Sequence, residues 1–246
     1  MTDDRLTSIT TILVEPQSVD NVGATVRAMR NMGLGRLRLV RPAAFDWSRL
    51  LVIAHRCEEL VAGIGVYDTL DDALADVVYA VGTTSRPRGV LRPTLDPRAA
   101  SSLAIERAAL GTVAFLFGRE DFGLPNSALD RCHALLTIPT APDYPSLNLA
   151  QAVLLVAYEL RLASEAASPA ATAGQRPIPA SGSETEAMFA ALIQAMQSTD
   201  FLIPSRADAT IRALRALLLR AEPSAEEAAL ITAMARAFAR STSKGE

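Results

Sequence analysis

The chain has 246 residues, a formal net charge of −3, half of its residues hydrophobic and 21% charged. That length accommodates one medium domain and a smaller one, and the acidic balance argues against a generally adhesive nucleic-acid binder. Two cysteines, Cys57 and Cys132, supply neither a disulfide framework nor metal-ligand spacing, and the polar opening MTDDRLTS has no signal-peptide character, so a reducing, cytoplasmic setting is expected. The longest apolar-leaning run carries Asn148 and Gln151 and is too short to span a bilayer, so no membrane partner is expected.

Short β-branched runs alternate with helical patterns as far as about residue 163. ITTILVEP (9–16) reads as a strand, followed by a helix capped by Asp20 or Asn21, carrying Val22, Val26 and Met29 inward and closed by Gly33. RLRLVRP (36–42) is a second strand, and a helix over about 48–62 leads to a short strand at Val66 and Tyr67. DVVYAVG (76–82) is a strand that empties into an arginine-rich loop, TTSRPRGVLRP (83–93). A helix near 97–109, the strand TVAFLFG (112–118), a short helix from Asn126 and the strand ALLTIP (134–139) follow. Strands separated by helices predict an α/β fold with a parallel sheet flanked by helices, whose ligands gather at the carboxyl ends of the strands.

In IPTAPDYPSLNLAQAV (138–153), Pro139, Pro142 and Pro145 hold an extended loop that ends at Ser146, a good N-cap residue. No charged residue occurs from Tyr144 to Tyr158, which predicts a helix buried on most sides. Residues 164–183, rich in Ala, Ser, Pro and Gly, read as a flexible linker between a domain at 1–163 and a small helical extension at 184–246. The extension shows two or three helices. They carry Met188, Phe189, Leu192, Ile193 and Met196; Ile211, Leu214, Leu217 and Leu218; and Leu230, Ile231, Met234 and Phe238.

Positive charge is almost wholly guanidinium, because Lys244 is the sole lysine. Five arginines and no acid lie between Asn21 and Phe45, and Arg86, Arg88, Arg92 and Arg98 follow Thr84 with only Asp96 against them. Such clusters in an acidic chain point to an anionic partner, for which Arg27, Arg30, Arg86 and Arg88 are candidate contacts. The glycine fingerprints for dinucleotides and nucleotide phosphates and the serine-hydrolase elbow are missing. His55 and His133 sit beside cysteines with no triad partners and read as structural, and no metal ligand set is present.

Three polar segments remain: VEPQSVDNVGATVRAMRNMGL (14–34), LFGREDFGLPN (116–126) and IPTAPDYPSLNLA (138–150). In order and spacing they resemble the three motifs of the trefoil-knotted SPOUT class of RNA methyltransferases, within it the TrmH/TrmJ group of ribose 2'-O-methyltransferases. The resemblance covers about residues 8–163, and the helical tail agrees with the TrmJ branch. It implies a C-terminal knot, against the usual rule that chains do not knot, and a homodimer with each RNA site built across the interface. S-adenosylmethionine would be held by Thr83, Thr84, Ser85, Gly118, Ile138, Ser146, Leu147 and Asn148. The catalytic positions would be Arg27, supported by Asn21, Glu120, Ser146 and Asn148. In that group the arginine is often proposed as general base. A guanidinium stays protonated below about pH 12, so the favoured role is gripping a phosphate and stabilising the developing oxyanion. The expected reaction is methylation of tRNA, at the cytidine or uridine of position 32. The alternatives are another RNA site, ribosomal RNA included, or a non-catalytic RNA-binding module.

Overall fold

The computed structural model describes residues 4–44, 46–85, 92–167, 177–199 and 201–242. Seven parallel strands form one sheet in the order β3-β2-β1-β6-β4-β7-β5. The strands are β1 (Ile9–Val14), β2 (Arg36–Val40), β3 (Gly65–Tyr67), β4 (Val77–Thr83), β5 (Thr94–Leu95), β6 (Thr112–Phe117) and β7 (Ala134–Leu136). β1 and β6 lie at the centre, and alternation along them divides two cores. Leu13, Val113, Phe115 and Phe117 face one side, with Ile12, Val14, Ala114 and Leu116 on the other. Burial on both faces explains why these strands read as unbroken apolar runs. The two-residue edge strand β5 was not expected from the sequence; Thr94 and Leu95 are too few to show a period.

The first face is covered by α1 (Val19–Met32), α5 (Pro97–Arg107) and α7 (Leu149–Ala166), which contribute Val26, Ile105 and Val156 among others. The second is covered by α4 (Leu70–Leu74) and α6 (Asn126–Leu129), through Leu74 and Leu129. The helix expected over 48–62 is two helices, α2 (Trp47–Ile53) and α3 (Glu58–Ala62). Arg56 between them takes a φ of 61°, which right-handed helix cannot continue.

Both helix caps at the site differ from the sequence reading. α1 is capped by Ser18, whose Oγ accepts from the Asn21 amide at 3.4 Å, so Asn21 is freed for another role. α7 is capped by Asn148, not Ser146: its Oδ1 accepts from the amides of Ala150 (2.9 Å) and Gln151 (3.4 Å). α7 is also less enclosed than the uncharged stretch from Tyr144 to Tyr158 predicts. Leu154, Leu155, Tyr158 and Leu162 are 39%, 42%, 48% and 38% exposed and form an open apolar face.

Of the expected linker, residues 164–166 complete α7, and residues 168–176 lie outside the described residues. The last two residues of that linker, Gly182 and Ser183, open α8 (Gly182–Ser198), which α9 (Ala207–Ala221) and α10 (Ala225–Thr242) follow. Met188, Phe189 and Leu219 form their small core, whereas Leu217, Leu230, Met234 and Phe238 stay exposed. These helices are fastened to the sheet unit. The Ser183 amide donates to the Ala75 carbonyl at 3.1 Å, and Arg107 grips Glu222 through two bonds of 2.7 and 3.0 Å.

Candidate active site

The loops that leave the carboxyl ends of β4, β6 and β7 enclose a cleft of about 460 Å³. That is ample for a cofactor-sized ligand. Thr83, Thr84 and Ser85 form one wall, Gly118 to Leu124 a second, and Ile138 with Pro145, Ser146 and Leu147 a third. The walls are fixed by main-chain and short side-chain bonds. Thr83 Oγ1 donates to the Leu116 carbonyl at 2.9 Å, and the Thr84 amide donates to the Leu136 carbonyl at 2.9 Å. Gly118 is required by close approach: a Cβ there would lie 2.0 Å from the Gly123 carbonyl carbon and 2.2 Å from the Leu124 nitrogen. Gly123 turns the loop back with a φ of 69°, and its amide donates to the Arg119 carbonyl at 2.9 Å.

A polar cluster draws the same loops together. Glu120 accepts from the amides of Gln17 (3.0 Å) and Ser18 (3.2 Å) and from Asn21 Nδ2 (2.9 Å). Asn21 Oδ1 in turn accepts from Asn148 Nδ2 at 2.8 Å. Residues 21, 120 and 148 thus meet in one chain of bonds that ends on the cap of α7. With its Oδ1 on the helix amides and its amide on Asn21, Asn148 can occupy only one orientation.

Residues 8–158 match the SpoU rRNA Methylase family. The chain belongs to that family. It is 36% identical over 233 residues to the tRNA (cytidine/uridine-2'-O-)-methyltransferase TrmJ of Cronobacter sakazakii, covering 93% of this chain and 95% of the relative. The Salmonella typhimurium TrmJ is 37% identical over 225 residues, 90% and 92% of the two chains. Among solved structures, TrmJ from Z. mobilis ZM4 superposes with a TM-score of 0.81 at 32% identity, covering 92% of this chain and 96% of that one. A probable methylase family protein from Haemophilus influenzae gives 0.61 at 30%, covering 98% and 100%.

Within this SpoU domain, seven of the eight positions singled out for a cofactor line the cleft, and Asn148 sits just behind it in the polar cluster. Ser146 and Glu120 line the cleft, and Glu120 brings in Asn21 through the cluster. Arg27 stands apart. It is exposed on α1, six residues or about 1.7 turns from Asn21, outside the cleft lining and without an ion pair among the described residues. Arg30 is likewise exposed, and Arg86 and Arg88 lie outside the described residues. Sequence reasoning missed the backbone amides of Gln17 and Ser18, which no side-chain pattern reveals. It also missed Arg119 and Phe122, which line the cleft; Phe122 is 85% exposed.

The two histidines and two cysteines take no part in this SpoU site. His133 stacks on Tyr79 at 4.8 Å and accepts from the Ala80 amide at Nδ1, and burial pushes its imidazole down to about 4. Burial also pushes the Cys132 thiol up to about 12, leaving it unreactive at neutral pH. Among the described residues, no cluster of His, Cys, Asp and Glu could hold a metal ion, and no helix is long and apolar enough to cross a membrane.

Proposed function

We propose that this chain methylates the ribose 2'-oxygen of tRNA, at the cytidine or uridine of position 32, with S-adenosylmethionine as donor. The observation that carries the reading is the Glu120–Asn21–Asn148 chain of bonds at the edge of the cleft, which unites the three family motifs. The cleft fits the donor: its volume suits a ligand of that size, and the missing Cβ at Gly118 keeps the loop closed around it. TrmJ relatives matching more than nine-tenths of the chain support the tRNA substrate.

When bound, S-adenosylmethionine supplies an electrophilic methyl group on a sulfonium. The protein's own share is positioning and charge control. Thr83 to Ser85, Gly118, Ile138 and Ser146 to Leu147 hold the donor. Glu120 locks the start of α1 through three donors, and Asn148 ties that helix to α7, so the ribose and the donor meet at one angle. Arg27, exposed and without an ion pair among the described residues, grips the adjacent phosphate and stabilises the oxyanion as the 2'-hydroxyl loses its proton to phosphate or water.

The functional unit is a homodimer in this reading. The open face of α7, with exposed Trp47, Leu51 and Val52 on α2, offers an apolar surface for a second copy. A dimer would place Arg27 of one copy beside RNA held at the other's cleft. The insertion of β7 between β4 and β5 suits a C-terminal trefoil knot. Residues 1–163 form the catalytic unit, 164–183 the connection and 184–246 an all-α extension, in a cytoplasmic protein.

The test is methyl transfer from labelled S-adenosylmethionine to total tRNA and ribosomal RNA, followed by nuclease mapping with mass spectrometry. A 2'-O-methyl pyrimidine at position 32 is expected. Modification solely outside tRNA would refute the substrate, and no calorimetric binding of the donor would leave a non-catalytic RNA-binding module.

A further inference from the structure

β1 and β2 end side by side, with Val14 paired to Val40. The next residue of each, Glu15 and Arg41, turns out of the sheet with φ of 53° and 45°. Such left-handed conformations are unfavourable for non-glycine residues and persist only where the surroundings impose them. The other two such residues among those described have local explanations, Arg56 breaking α2 from α3 and Glu222 capping α9. At Glu15 and Arg41 both amides still continue the ladder, to the carbonyls of Val40 (2.8 Å) and Tyr67 (2.9 Å), so the turn is not a failure of pairing.

The turn brings the two side chains together. Glu15 Oε1 accepts from Arg41 Nε at 3.1 Å and Nη2 at 2.5 Å, and Glu15 Oε2 lies 3.5 Å from Arg119 Nη1. Arg119 is a cleft residue, braced on its far side by two 3.0 Å bonds to Asp121. The residue after it is Glu120. Consecutive residues of the Gly118–Gly123 loop, one cationic and one anionic, therefore clamp the same 15–21 segment. Arg119 takes the carboxylate of Glu15, and Glu120 takes the donors of Gln17, Ser18 and Asn21. Solvent-exposed ion pairs contribute little stability, and Arg41 is 55% exposed, so stability alone does not account for two strained residues here.

We propose that Glu15 is a positioning residue: its carboxylate fixes Arg119, and through it the loop that aims Glu120 at the start of α1. The catalytic consequence rests on the functional reading above, whereas the loop geometry does not. The test is Glu15→Asn in the full chain, because asparagine enters the left-handed region readily and keeps the turn while losing the carboxylate's reach. Amide hydrogen exchange at Gln17 and Ser18, without donor or RNA, should quicken about tenfold, a change a merely local surface pair would not transmit. At saturating donor and tRNA, kcat should fall about tenfold or more while the KM for tRNA stays within about twofold. Unchanged exchange at Gln17 and Ser18 overturns the proposal, whatever the activity. So does a kcat within about twofold of an active parent. If the parent transfers no methyl group, the functional reading fails, and the exchange comparison still decides the role of Glu15. Should Glu15→Asn not fold, Glu15→Gln, equal in length and uncharged, is read by the same two measurements.

Discussion

Gly118→Ala perturbs the candidate cleft with a single methyl group. The added Cβ would lie 2.0 Å from the Gly123 carbonyl carbon, 2.2 Å from the Leu124 nitrogen and 2.3 Å from the Gly123 oxygen. To reach an ordinary contact of 3.4 Å, the facing backbone must retreat by about 1.4 Å (3.4 less 2.0). Gly123 cannot yield that distance cheaply, since its amide closes the turn on Arg119 and its φ of 69° is already specialised. The loop carrying Arg119 and Glu120 therefore moves as a unit. The cleft wall it forms shifts with it, and a loss of on the order of tenfold in donor affinity, about 1.4 kcal/mol, is expected. Overpacking adds roughly 1–3 kcal/mol of destabilisation, about 2–4 °C in Tm for each kcal/mol at this chain length. Calorimetry with S-adenosylhomocysteine and a thermal melt measure both effects. Gly35→Ala, whose Cβ would meet nothing within 4 Å, is the control and should bind like the parent. Binding by Gly118→Ala within about threefold of the parent would refute the claim that loop closure shapes the cleft.

Three further outcomes are expected. Asn148→Ser keeps an N-cap but loses the bond to Asn21. It should melt near the parent yet lose about tenfold or more in kcat, whereas Asn148→Ala should also lose about 1 kcal/mol of cap; equal activity in the serine variant and the parent refutes the link. Arg27→Lys should keep most tRNA affinity and lose about a hundredfold in turnover, because an ammonium cannot reproduce a two-pronged phosphate grip; parent-like turnover removes Arg27 from the chemistry. His133 carries a pH signature. Its folded pKa of about 4 lies below the ~6.5 of the unfolded chain, so the unfolded state binds more protons between these values. Its contribution is complete above about pH 6.5 and drains as pH falls towards 4. His133→Asn, which retains an acceptor for the Ala80 amide, should show a shallower loss of Tm over that window, and an identical slope would refute the assignment.

Sequence by itself determined the elements with strong periodicity and the chemistry of the loops. The runs at 9–14, 77–83 and 112–117 are strands because β-branched and apolar residues fill them, and 36–40 because Leu37 and Leu39 alternate with arginines. The same reading brought out the loops Gly118–Gly123 and Ile138–Asn148, since polar groups and glycines collect where parallel strands end, and the resemblance to the SPOUT motifs singled out Gly118, Glu120 and Ser146–Asn148 within them. Tertiary structure decided what local pattern cannot encode. Whether Ser146 or Asn148 caps α7 depended on Asn21, 127 residues away, which holds the Asn148 amide in place. The uncharged stretch 144–158 predicted a helix buried on most sides, yet which side is covered depends on the helices beside it, and among the described residues nothing covers Leu154, Leu155, Tyr158 and Leu162 fully. The clearest case is Glu15. In the sequence it is an acid at the end of a strand; only the side-by-side ends of β1 and β2, with the β6 loop above them, join it to Arg41 and Arg119. Periodicity records which face a residue takes within its own element, while a site is made where elements far apart in the chain converge.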